Sequence, residues 1–121
     1  MPSLNTIDLV VRDVPAAAAF FRDVVGLTLR FAEERFAELD GGGVTIMLTP
    51  DALVPTRPAA GIILHFQVDD VAAALEQARS QGAQVLRDPF TTDWGWESAL
   101  IAGPEEVVVD LYRPVGTEVE D

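Results

Sequence analysis

Ile7-Asp8-Leu9-Val10-Val11-Arg12-Asp13-Val14 near the start of the chain is echoed past its middle by Leu64-His65-Phe66-Gln67-Val68-Asp69-Asp70-Val71. In both places an aliphatic run ends at an aspartate, and an Ala-rich amphipathic stretch follows. The run reads as a strand, the aspartate as a helix cap and the stretch as a helix. One such unit has an apolar sheet face that it cannot cover alone, so a duplicated unit implies two copies cooperating around a shared surface.

Working outward from the first copy, Val14, Ala17, Ala18, Phe21, Val24 and Val25 fall on one helical face, with Pro15 tolerated in the first turn and Gly26 as the stop. Leu27–Phe31, Phe36–Asp40 and Val44–Thr49 then alternate with turn signals at Glu33-Glu34 and Gly41-Gly42-Gly43, the pattern of an antiparallel meander. The first module, 1–49, is therefore βαβββ. A connector with Pro50, Pro55 and Pro58 spans 50–61.

The second module, 62–115, repeats the order. Ile62–Val68 forms a strand, Asp70 caps, and Val71, Ala74, Leu75 and Ala78 make the helix stripe up to Gly82. Strands follow at Ala83–Leu86, Ser98–Ala102 and Val107–Tyr112, with Glu105-Glu106 in the last turn and a frayed tail at Glu118–Asp121. The expectation is a single α+β domain over 1–121.

Composition closes several chemistries. With 121 residues and 49% apolar content the chain can bury a real core. Cysteine and lysine are absent and His65 is the one histidine, so disulfides, thiolate nucleophiles, Schiff bases and multi-imidazole metal sites within one chain are excluded. A net charge of -12 repels phosphate backbones, so no nucleic-acid partner is expected. No apolar run approaches the ~20 residues of a membrane span, and Met1–Asn5 lacks the character of a secretory signal, so a cytoplasmic location without membrane association is expected.

With these elements in place, the sequence resembles the vicinal oxygen chelate superfamily of glyoxalases, extradiol dioxygenases and bleomycin-resistance proteins. The resemblance runs through Val11-Arg12-Asp13, Phe20-Phe21-Arg22-Asp23-Val24-Val25-Gly26-Leu27, Val68-Asp69-Asp70-Val71 and Gly103-Pro104-Glu105-Glu106-Val107-Val108-Val109-Asp110-Leu111, and covers nearly the whole chain. The last run is similar to the family's Asp-Pro-Asp-Gly-Asn turn and closing strand. The resemblance implies two βαβββ modules whose strands curve into a mixed-sheet cup, with a metal held by one residue from each of four strands.

Those four positions correspond to Thr6, Met47, Ile63 and Asp110, of which only Asp110 is a competent ligand. The usual metal site is therefore read as lost, with no metal and no cofactor expected. The repeat offset of 57 pairs Asp8 with His65, and strand alternation puts Asp8, His65, Gln67 and Asp110 on the inner face of the cup, with Tyr112 continuing from Asp110. Leu9, Val11, Leu64, Phe66, Val68, Val109 and Leu111 are expected to pack under the helices.

Thr91-Thr92-Asp93-Trp94-Gly95-Trp96-Glu97 reads as a loop that carries two tryptophans. Drug-binding members of the superfamily carry a Trp-Gly pair near the rim, so the resemblance extends to Trp94-Gly95. With Phe31, Phe36 and Tyr112 these rings offer stacking surfaces.

The leading expectation is metal-independent binding of a small aromatic or natural-product ligand, as in drug-sequestering resistance proteins, by Asp8, Met47, His65, Gln67, Trp94, Trp96, Asp110 and Tyr112 in a homodimer. Two alternatives stay open. One is a metal-free isomerase, cyclase or lyase that uses His65 with Asp8 or Asp110 as acid and base. The other is a glyoxalase- or dioxygenase-like enzyme whose metal has moved to His65, Asp110 and Asp8. A dimer with a vestigial cup and the choice between pairing modules within or between chains are likewise left open.

Overall fold

The computed structural model describes residues 2–57 and 59–116, so Pro58 and the tail Glu118–Asp121 lie outside the described residues. The elements are β1 (Thr6–Val10), α1 (Val14–Ala19) running into a π-helical turn (Phe20–Val25), β2 (Thr28–Glu33), β3 (Phe36–Asp40), β4 (Thr45–Thr49), β5 (Ile63–Gln67), α2 (Val71–Ser80), β6 (Val85–Thr91), β7 (Trp96–Ala102), a short 3₁₀ turn (Pro104–Glu106) and β8 (Val108–Pro114). The architecture is α+β, built of two similar βαβββ modules, each with a four-stranded sheet.

The chain divides into two compact units, one running to Ala60 and joined by Pro104–Glu106, the other comprising Gly61–Gly103 and the chain from Val107 onward. In the first, the strand order is β1-β4-β3-β2, with β1 parallel to β4 and the other pairs antiparallel. In the second, the order is β5-β8-β7-β6 with the same pairing senses.

Local sequence explains the helices. Asp13 accepts a hydrogen bond from the Ala16 N–H at 3.0 Å, and Asp70 accepts one from Ala73 N–H at 3.0 Å, which satisfies an orphan donor at each helix start. Val14, Ala17, Ala18, Phe21 and Val24 are buried against the first sheet beside Leu9, Ala37, Leu39, Ile46 and Leu48. Phe21 is 0% exposed, a burial that contributes about 1.5–3 kcal/mol. Gly26 ends the helix at φ 93, where a side chain would be strained.

In the second unit Val71, Leu75 and Ala78 on α2 cover a buried face made of Ala99, Ile101, Val109 and Leu111. Leu64, Phe66 and Val68, expected under the helix, are half-buried. Among the described residues, the opposite face of this sheet carries no helix of its unit.

Two segments differ from the sequence reading. Strand β6 extends through Pro89 to Thr91 rather than ending at Leu86. Proline is tolerated there because β6 is an edge strand and its pairing with β7 shifts register between Val85 and Arg87 and again between Arg87 and Phe90. The second correction concerns Thr91–Glu97, read as a loop. Thr91 ends β6 and Trp96 begins β7, so only the residues between form the turn. It closes by Thr92 N–H to Trp96 O at 2.7 Å and Trp96 N–H to Thr92 Oγ1 at 2.9 Å, with Gly95 at φ 93.

Candidate functional site

The register of β5, β8 and β7 assembles a constellation on the uncovered face of the second sheet. Parallel pairing sets His65 beside Asp110, and antiparallel pairing sets Asp110 beside Leu100. One row along, Gln67, Tyr112 and Ser98 are neighbours in the same way. Paired residues project from the same side of a sheet, so these side chains share one face while Val109, Leu111, Ala99 and Ile101 share the other.

The two ionisable groups are in direct contact. His65 Nδ1 lies 2.7 Å from Asp110 Oδ2, with the imidazole 45% exposed and the carboxyl side chain 4% exposed. Ser98 Oγ, itself buried, donates to the same oxygen at 3.3 Å. The other oxygen, Oδ1, is buried with no hydrogen-bond partner among the described residues. An ionised carboxylate only accepts, so Nδ1 is the donor in this short contact and Nε2 is the ring nitrogen that Asp110 does not engage.

Aromatic rings crowd around this dyad. Trp96 and Tyr112 stack at 3.8 Å between centroids and 21° between planes. The imidazole meets both edge-on, at 5.5 Å from Trp96 and 6.2 Å from Tyr112. Trp94 stands 6.0 Å from Trp96 at 68° and remains 61% exposed. On the neighbouring edge strand the Arg87 guanidinium lies 3.5 Å from the centre of the Phe90 ring, a cation–π contact.

Of the residues singled out in the sequence, His65, Asp110, Trp96 and Tyr112 are thus brought together, Trp94 joins through Trp96, and Gln67 is the exposed register neighbour of Tyr112. Asp8 and Met47 lie in the first unit, where they face each other across β1 and β4, with Glu38 on the far side of Met47. Phe31 and Phe36 also belong to the first unit, 5.9 Å apart. Ser98, Leu100, Arg87 and Phe90 were not selected from sequence. Ser98 was recoverable in principle, because it is the one polar side chain at alternate positions between Trp96 and Leu100.

The first unit has its own polar group. Arg30 pairs with Glu38 at 3.1 Å and with Asp40 at 3.4 Å. The Gly42 N–H, donating at 2.8 Å, holds the Asp40 carboxyl below its ordinary range, with Arg30 acting in the same direction. A cavity of about 370 Å³ opens elsewhere in this unit, lined by Val10, Arg12, Pro50, Thr56, Arg57 and Glu105, and contains none of the residues selected from sequence. Glu105 is committed there to structure, accepting from Arg12 N–H at 2.8 and 2.9 Å and from Asp13 N–H at 3.0 Å.

The four positions where the family resemblance places metal ligands do not fit a divalent ion. Ile63 has no donor atom, Met47 offers a soft thioether, and the Thr6 hydroxyl donates to Asn5 at 3.1 Å. Asp110 has one oxygen engaged by His65 and Ser98 and the other buried. Among the described residues no group of three or more His, Asp or Glu side chains is arranged to hold a metal. Among the described residues no helix is long and apolar enough to cross a membrane.

No curated protein matches the chain. Among solved structures, one described as a conserved domain protein shares 35% identity at TM-score 0.84, over 93% of this chain and 99% of that one. TnmS3, described as an antibiotic binding protein from Streptomyces sp. CB03234, shares the fold at 24% identity and TM-score 0.77, over 94% of this chain and 97% of its own. A glyoxalase/bleomycin resistance protein/dioxygenase family enzyme from Burkholderia phytofirmans PsJN is similar at 23% identity and TM-score 0.78, over 93% and 99% respectively. The family model described as Glyoxalase/Bleomycin resistance protein/Dioxygenase superfamily matches residues 3–111, and with two βαβββ modules in the expected order the chain belongs to that superfamily.

Proposed function

We propose that this protein binds a small, flat, partly aromatic molecule on the uncovered face of its second sheet, without a metal, and that binding itself is the function. The observation that carries the reading is the Trp96–Tyr112 stack set against the His65–Asp110 dyad, with Trp94 exposed beside it. Aromatic rings supply apolar area and stacking, and one polar group fixes orientation, which is the usual division of labour in a ligand site. The likeness in fold to TnmS3, described as an antibiotic binding protein, is consistent with this reading. The poor donor chemistry of Thr6, Met47 and Ile63 supports the metal-independent part of this reading. Asp8 and Met47 are likewise proposed as ligand contacts, within the first unit, and the working unit is taken to be a cytoplasmic homodimer.

Calorimetric titration against bleomycins, mitomycins, thiopeptides and other flat natural products tests the proposal. Saturable binding that survives exhaustive chelation is expected, and uniformly absent heat across the panel would count decisively against it. A second reading draws on the 2.7 Å contact between His65 and Asp110. An oriented imidazole is equipped to move a proton, and such a group contributes on the order of 10²–10⁴ in rate. In that case His65→Ala removes turnover of a bound compound, whereas in a pure binder it leaves most of the affinity.

A further inference from the structure

Resting on the reading of the second-sheet face as a ligand surface, we infer that its guest carries an acidic hydroxyl on a flat π system, a phenol or an enol, and that His65 Nε2 accepts the hydrogen bond from it. Asp110 is 3% exposed and its Oδ2 takes donors from His65 and Ser98. That geometry assigns the proton of the neutral imidazole to Nδ1, since an ionised carboxylate has no hydrogen to give.

The consequence lies at the opposite edge of the ring. Nε2 then carries a lone pair, and no described residue hydrogen-bonds to it, although the imidazole is 45% exposed. Such a nitrogen discriminates among guests: it gains from an O–H donor, is left unpaired by a methyl ether, and repels the lone pairs of a carboxylate. The net charge of -12 adds to the rejection of anions. The flat π system follows from the neighbours, because Trp96, Tyr112 and Trp94 surround the imidazole with rings.

The Ser98 hydroxyl does not compete for this role, because it is 2% exposed and lies out of a guest's reach, donating to Asp110. Gln67, exposed one row along, offers both a donor and an acceptor and so does not by itself select a hydroxyl. His65 is the group on this face that accepts without also donating to the guest.

The test uses matched probes that differ only in the hydroxyl: 2-naphthol against 2-methoxynaphthalene, and 2-hydroxyanthraquinone against 2-methoxyanthraquinone, with 2-naphthoate as the anionic control. Affinities are measured by calorimetry and tryptophan quenching on the whole chain. Each hydroxyl compound should bind about three- to tenfold tighter than its ether, the effect of one net hydrogen bond. The preference should vanish in His65→Phe, which keeps a ring in place. In Asp110→Asn, whose amide can donate to Nδ1 and move the proton to Nε2, it should shrink toward unity.

Equal affinity for hydroxyl and ether overturns the hydroxyl inference and leaves ligand binding standing. Preference for naphthoate overturns it as well, by showing a donor where an acceptor was inferred. A hydroxyl preference that persists in His65→Phe overturns the assignment to His65. If none of the five probes binds, both the inference and the reading beneath it fail.

Discussion

His65 and Asp110 occupy opposed positions on parallel strands β5 and β8, 2.7 Å apart through Nδ1 and Oδ2, and on the equivalent parallel strands of the first module, β1 and β4, Asp8 and Met47 are opposed in the same way. The two modules therefore contain equivalent cross-strand pairs, and only one of them is an acid–base pair. In the other a lone carboxylate faces a thioether. The modules share architecture while their chemistry has separated.

That pairing has a stability signature. His65→Ala leaves the buried Asp110 carboxylate with Ser98 as its one donor among the described residues. The expected loss is about 1–3 kcal/mol, limited because the imidazole is half exposed and water can enter the space. Urea unfolding at neutral pH measures it. An unchanged midpoint would mean that the contact contributes nothing to the fold.

The stacked rings should be coupled energetically. Truncating Trp96 or Tyr112 singly to alanine removes a contact at 3.8 Å between centroids. A double-mutant cycle is expected to return about 0.5–1.5 kcal/mol of interaction beyond the area each ring buries. Strict additivity would show that the two rings pack independently.

Glu105 and Glu106 offer opposite outcomes from adjacent positions. Glu106 sits at φ 79, in the place of the family turn's glycine, so Glu106→Gly should stabilise the protein by about 0.5–1 kcal/mol after the greater freedom of the unfolded chain is subtracted. Glu105 is also left-handed, at φ 45, yet its carboxylate caps Arg12 and Asp13 N–H groups. Glu105→Ala should therefore destabilise by about 1–2 kcal/mol. Thermal melts of the two variants should move in opposite directions, and a shift of both in the same direction contradicts the account.

Acid should weaken the first unit through Asp40. Its folded-state carboxyl is held below the ordinary value first by the Gly42 N–H and then by Arg30. A group depressed on folding contributes stability above its unfolded value and loses it as pH falls through the folded one. Asp40→Asn should thus be less stable than the parent at neutral pH, with the gap closing in acid as the parent loses its advantage. A gap that stays constant from neutral pH into acid contradicts this, and the effect should be small because the group is solvated.

The fold was legible because its signals are local. Asp13 and Asp70 as caps, the apolar stripes of the two helices and the Gly26 stop each depend on residues within a few positions of one another, and the structure has all of them. Strand ends were less legible. Pro89 inside β6 and Trp96 inside β7 depend on which strand lies at the edge and where the turn closes, and neither is encoded in the segment itself.

The positions implied by the family resemblance, extended by alternation along each strand, selected His65, Asp110 and Tyr112 as side chains of one face, and composition alone had already excluded thiol, amine and multi-histidine chemistry. Tertiary structure decided who touches whom: that Asp110 is the carboxylate on His65, that Ser98 shares its oxygen, and that Trp96 lies flat on Tyr112 rather than out on a loop. The physical reason is that periodicity is a property of one strand, whereas register joins residues as far apart as 65 and 110. Hydrogen bonds and ring contacts across strands exist only once that register has been set.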